Sequence, residues 1–246
     1  MNAGVVLRGL LGAALLIGGW ELSVWALALP QWILPPPSGI LATTWTVRAA
    51  LLPAAAMTAY QALSGYAIGA VLGVALAMLL ALAAPLRAML LPMVVAVNSV
   101  PVAAYAPLAL LWFGTGALSK IIMVAFIVGF TVFLNALDGL TRVDPAAVSL
   151  LRSFGAGRLR VLWVLRLPSA MPAIATGMRI STVRAMIVTL VTEMLGSQLG
   201  LGWTIFQAVL MIDFLQVWAA ILVASVISLV FFGVVSAIER RVVFWR

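Results

Sequence analysis

Charged residues are so sparse along the chain that the apolar intervals between them read as individual elements. A helix that crosses a bilayer needs about 17 to 25 predominantly apolar residues. Six such segments are predicted, at 10–29, 62–84, 88–119, 121–137, 174–195 and 214–238. Pro30 and the run Pro35-Pro36-Pro37-Ser38 cannot continue a helix, so a long loop is predicted before the second segment. The third runs without a charge and closes on Trp112-Phe113-Gly114-Thr115-Gly116, an aromatic interface anchor followed by a turn.

Composition turns this pattern into a class. The 246 residues are 65% hydrophobic and 8% charged, with mean hydropathy +1.25, whereas soluble domains are roughly a quarter charged. The expected fold is an all-α membrane protein of six transmembrane helices, one domain over 1–246, with no length left for a soluble one. The net charge of +8 reads as a topology signal, not as nucleic-acid binding. Placing both termini inside gathers Arg8, Arg87, Arg142, Arg152, Arg158, Arg160, Arg166, Arg240, Arg241 and Arg246 on one side and leaves Arg48 and Lys120 outside. Arg8, the apolar run and Ala26-Leu27-Ala28 also resemble a cleavable secretory signal; the acidic Glu21 beside Trp20 favours an uncleaved first span. The chain has neither Cys nor His, which excludes thiolate and Ser-His chemistry and His-ligated metal sites. With no close pair among its six carboxylates, no catalytic or metal residue is assigned.

Within the predicted spans, Gly65, Gly69 and Gly73 leave one side of a helix bare, so that a neighbour can approach closely. Ionisable groups at depth are costly and mark functional candidates. Arg179 is within snorkelling reach of headgroups, while Arg184 lies about 15 to 18 Å deep at 1.5 Å per residue. Arg184 and Glu193, on one helix and about 13 Å apart along its axis, cannot pair with each other; Asp138 or a second copy's Glu193 are the candidate partners. Arg184, Glu193, Asn98, Thr131, Asn135 and Thr192 are the candidate pathway residues. Ser99 and Thr189 share their polarity, and bonding across helices explains such groups equally well. The nine Trp, Trp112, Trp203 and Trp245 among them, fall mostly near span ends as interface anchors, although Trp20, Trp25 and Trp218 also suit packing within the bundle.

Residues 138–172 are too polar for lipid and too long for a plain connector, so a structured element is expected there. Asp144-Pro145 starts a helix, Gly155-Ala156-Gly157 ends it with a sharp turn, and a second helix carrying Arg158, Arg160 and Arg166 against Val161, Leu162 and Leu165 is predicted to stop at Pro168. Basic amphipathic composition alone suits a hairpin lying on an anionic leaflet. The spacing adds a second reading. Gly155, nine residues, Leu165, one residue, Leu167-Pro168 is similar to the second half of the E-A-A loop motif of binding-protein-dependent ABC importer permeases.

Leu34-Pro35-Pro36-Pro37-Ser38, Asn98-Ser99-Val100-Pro101, Leu111-Trp112-Phe113-Gly114-Thr115-Gly116, Gly177-Met178-Arg179-Ile180 and Gly200-Leu201-Gly202 also resemble the nitrate, sulfonate and taurine subfamily of those permeases. The resemblance implies a multi-pass subunit of a bacterial inner membrane that imports a small, anionic solute. Its implied partners are a second copy of itself, two ABC ATPase subunits, a periplasmic or lipid-anchored solute-binding protein and membrane lipids. Ser149, Leu150, Leu151, Arg152, Phe154, Gly155, Ala156 and Gly157 are the implied ATPase-coupling positions. Where the family has E-A-A, this chain has Ser149-Leu150-Leu151, without the carboxylate. No G-x-x-x-x-G-K-[ST] phosphate loop is present, so no cofactor is expected in this chain and ATP and Mg would be bound by the partner ATPases. A self-sufficient secondary transporter or channel is the alternative, although no internal repeat supports it.

Overall fold

The computed structural model describes residues 3–243; Trp245 and Arg246, read above as an interface anchor and an inside charge, lie outside the described residues. The chain forms helices α1 (Ala3–Ala26), α2 (Pro37–Thr46), α3 (Arg48–Leu82), α4 (Ala84–Asn98), α5 (Val102–Phe113), α6 (Ala117–Thr141), α7 (Pro145–Ser153), α8 (Arg158–Val161), α9 (Leu167–Gly196), α10 (Leu201–Leu210) and α11 (Phe214–Val242). Among the described residues five helical segments are long and apolar enough to span a membrane, and the bent pair α4 and α5 brings the number to six if it is counted as one span.

Three boundaries differ from the sequence expectation, each for a local reason. The loop expected before the second span is mostly helical: Pro37 takes the first position of α2, where a missing N–H is harmless, and α3 follows almost at once with 35 residues. At 1.5 Å per residue α3 is about 52 Å long, well beyond a hydrocarbon core of about 30 Å. The third span is not continuous, because α4 and α5 meet at 94° across Ser99-Val100-Pro101. Pro101 lacks the N–H the ladder needs, and its ring disfavours the helical region for the preceding Val100. Conversely, the second helix of the polar loop does not stop at Pro168. A π-helical turn at Leu162–Arg166 widens the ladder and passes the chain into α9, with Pro168 in its first turn.

The core lies between α3, α6 and α9, where Ala62, Ala70, Val124, Val128, Val132 and Ala185 are buried together. The glycine ridge explains how closely α3 and α6 approach. A Cβ on Gly65 would lie 2.5 Å from Val124 Cβ, one on Gly69 2.5 Å from the Ala125 carbonyl oxygen, and one on Gly73 2.6 Å from the Gly129 carbonyl oxygen. Around this centre, α1 is tied to α2 by Glu21, whose carboxylate accepts from Ser38 N–H at 3.0 Å and Ser38 Oγ at 2.6 Å. It satisfies one first-turn donor, the Ser38 N–H, that Pro36 leaves uncapped. Trp20 packs on Trp218 of α11 at 5.4 Å between rings.

Candidate functional site

At one end of the bundle, α7 and α8 form the hairpin anticipated from the sequence. The Asp144 carboxylate accepts from Ala146 N–H at 2.9 Å, and Pro145 occupies the first helical position. At the other end of α7, Gly155 N–H donates to Arg152 O and Ala156 N–H to Leu151 O, the paired bonds of a Schellman motif. Gly155 closes it at φ +82°. This cap leaves two large apolar side chains facing outward, Leu150 at 59% and Phe154 at 80% exposure, with Ser149 and Arg152 also exposed and Leu151 half-buried. The hairpin therefore presents an apolar surface that nothing in the described chain covers.

Halfway along the span, Arg184 lies 17 residues from the start of α9 and 12 from its end. Its Nη1 donates to Thr131 Oγ1 on α6 at 2.8 Å. Asn135, one turn further on α6, donates through Nδ2 to the Thr131 carbonyl at 2.8 Å. Arg184, Thr131 and Asn135 thus share one site, and Arg184 is exposed on the same open stripe as Ile180, Val183 and Ile187. The other pathway candidates lie elsewhere. Asn98 is the half-buried last residue of α4 at the bend. Thr189 and Thr192 are buried, each hydroxyl donating to the carbonyl four residues back. Asp138, a candidate partner for Arg184, instead pairs with Arg142 at 2.8 Å. Arg179, expected to snorkel, approaches Glu239 of α11 at 3.3 Å.

Glu193 sits at the far end of α9 in a buried network. Both carboxylate oxygens lie 2.9 Å from Thr58 Oγ1 of α3, and Oε2 accepts from Gly202 N–H at 2.8 Å. Thr58 Oγ1 also accepts from Leu201 N–H at 2.8 Å. Nearby, Lys120 is fully buried and donates through Nζ to the carbonyls of Thr115 and Gly196, both at 2.6 Å. Sequence reading missed Thr58 and placed Lys120 in an outer loop. The available signal was that Lys120 and Glu193 are opposite charges at ends of predicted spans facing the same side.

Residues 69–244 match the family of binding-protein-dependent transport system inner membrane components. The chain belongs to this family. A probable ABC transporter permease protein of Haemophilus influenzae is 33% identical over 224 residues, 91% of each chain. The formylaminopyrimidine transport permease protein ThiX of Halalkalibacterium halodurans is 29% identical, covering 92% of this chain and 91% of its own. The taurine transport system permease protein TauC of Escherichia coli is 29% identical, covering 95% and 87%. An inward-facing structure of the MetNI methionine ABC transporter superposes with TM-score 0.63 over 80% of this chain and 96% of the matched one, at 17% identity, so the fold is shared. The chain is accordingly a multi-pass translocation subunit, a permease that works with ATPase and substrate-binding partners. Membership displaces the self-sufficient transporter reading.

Proposed function

We propose that this permease acts as a homodimer in a bacterial inner membrane and carries a small anion such as taurine or another sulfonate, or nitrate, along a path between its two copies. The observation that carries the reading is Arg184, a charged and exposed residue halfway along a spanning helix. A charge at that depth cannot face acyl chains and requires protein or water in front of it. A second copy set against the α9 stripe supplies that cover, and the space between the copies is where a solute passes. The planar fork of a guanidinium suits the oxygens of sulfonate, nitrate or carboxylate. Similarity to TauC points the same way.

In this assembly both termini and the α7–α8 hairpin face the cytoplasm, as the concentration of Arg on that side requires. Two ATPase subunits dock on Leu150, Leu151 and Phe154 and supply ATP and Mg binding, and a periplasmic or lipid-anchored binding protein delivers the solute from the other side. Because the carboxylate of the family motif is replaced by Ser149, docking rests on the apolar face and the Gly155 turn. The test is uptake by proteoliposomes holding the permease, its ATPase and its binding protein, with taurine, an alkanesulfonate, nitrate and formylaminopyrimidine compared. Saturable ATP-dependent uptake of one of the anions is the expected result. Uptake of the pyrimidine with none of the anions overturns the anion assignment and aligns the chain with ThiX instead.

A further inference from the structure

A cleft of about 550 Å³ opens between the α3–α4 junction and the α7–α8 hairpin, walled by residues 81–85 on one side and by Arg152, Arg158 and Arg166 on the other. We propose that it binds a phosphate-ester anion, either the headgroup of an anionic phospholipid or a soluble phosphate compound. The inference is independent of which solute is carried.

Three guanidinium groups share this space, and among the described residues none lies within ion-pair distance of a carboxylate, since the ion pairs formed are Arg142 with Asp138 and Arg179 with Glu239. Asp144, the other acid close in sequence, is engaged in capping α7. Like charges around one cleft repel, and an anion between them removes that repulsion. Arg166 is held in place: half-buried, it donates through Nη1 to the carbonyl of Ala81 in the last turn of α3 at 3.1 Å, which leaves its remaining N–H groups for a ligand. The opposite wall is uncharged and includes the start of α4, whose helix dipole adds positive potential there.

Arginine forks match phosphate oxygens in pairs, and basic pockets between spanning helices suit lipid headgroups. Beyond the cleft, Leu86, Met89 and Met93 are exposed at positions i, i+3 and i+7 of α4, an apolar strip on which an acyl chain can lie. A soluble phosphate compound reaches the same arginines from the aqueous side.

The test uses the full chain co-purified with its ATPase, delipidated in non-ionic detergent and melted with dioctanoyl phosphatidylglycerol, glycerol 3-phosphate or net-neutral dioctanoyl phosphatidylcholine. An increase in Tm with either anion, absent with the neutral lipid and requiring at least fivefold more ligand in an Arg158→Gln, Arg166→Gln variant, is the expected result. Response to the lipid alone assigns a headgroup site; response to glycerol 3-phosphate assigns a soluble anion. Arg158→Gln alone, a change to an exposed side chain, gives the same comparison if the double variant folds poorly. No increase with either anion, or equal increases in wild type and variant, overturns the proposal. So does loss of the ATPase from Arg158→Gln with an unchanged ligand response, which assigns these arginines to that protein contact.

Discussion

Arg184 and Glu193 lie on one helix and carry opposite charges, yet the chain treats them differently. Glu193 is held by donors from two other helices, Thr58 of α3 and Gly202 of α10, whereas Arg184 has one neutral partner, Thr131, and is exposed. A group that lines a path keeps donors free for the solute; a structural group has them spent. Arg184→Gln is therefore expected to reduce uptake at least tenfold while the complex assembles and basal ATP hydrolysis continues. Arg184→Lys should fall between, since the charge remains and the fork is lost. Uptake and melting temperature on the same two variants check this: normal uptake, or reduced uptake accompanied by a large fall in melting temperature, contradicts a pathway role. At Thr58 the effect should be on stability instead. Thr58→Val keeps the shape but leaves the Leu201 N–H and the Glu193 carboxylate each short of a partner, which should cost about 1–3 kcal/mol. Thr58→Ser should recover most of it, and thermal melting in detergent distinguishes the two.

Among the elements, α7 is the one whose proposed docking role depends most on a single backbone conformation. Gly155→Val puts a β-branched residue at φ +82°, where such residues are outliers, and should unravel the Schellman cap and tilt Leu150 and Phe154 away from their docking direction. The expected outcome is normal membrane insertion with at least fivefold less ATPase recovered by pull-down; full recovery would exclude the hairpin from that contact. This element was legible beforehand because its start and stop are encoded locally, in Asp144-Pro145 and in Gly155. The break between α4 and α5 was not. Pro92, Pro101 and Pro107 all fall in the stretch, and only Pro101 interrupts the helices, while Pro92 and Pro107 are carried inside them. Whether a proline breaks a membrane helix depends on what else satisfies the freed carbonyls, and that lies outside the segment. The same limit hid the Glu193 network: Thr58 is 135 residues away in sequence, and one bond of that reach leaves no periodic trace. The close approach of α3 to α6 was readable as a possibility from the four-residue glycine spacing, although the partner helix was not.

At the scale of the whole molecule, the exposed faces differ in what can cover them. The α11 residues Val226, Leu229, Val230 and Val234 are exposed and wholly apolar, and acyl chains satisfy them as well as protein does. The α9 stripe of Ile180, Val183 and Ile187 includes Arg184 at mid-span, and lipid alone leaves that charge unsolvated. A second copy related by a twofold axis brings the same stripe opposite itself, because a twofold interface is formed by one patch on both partners. The chain contains no Cys, so within the permease a single introduced thiol has no partner but its counterpart in a second copy, and a product of twice the permease mass reports that pairing. Val183→Cys and Ile187→Cys, treated in native membranes with a bifunctional maleimide, are expected to give cross-linked dimers, with the yield changing when ATP is trapped on the partner ATPase as the two copies rearrange. Leu229→Cys and Val230→Cys on α11 should remain monomeric under the same treatment. Efficient dimers from the α11 positions and none from α9 would put the axis on the other side of the bundle. Arg184 would then face a water-filled cavity within a single copy, and the pathway would no longer lie between two.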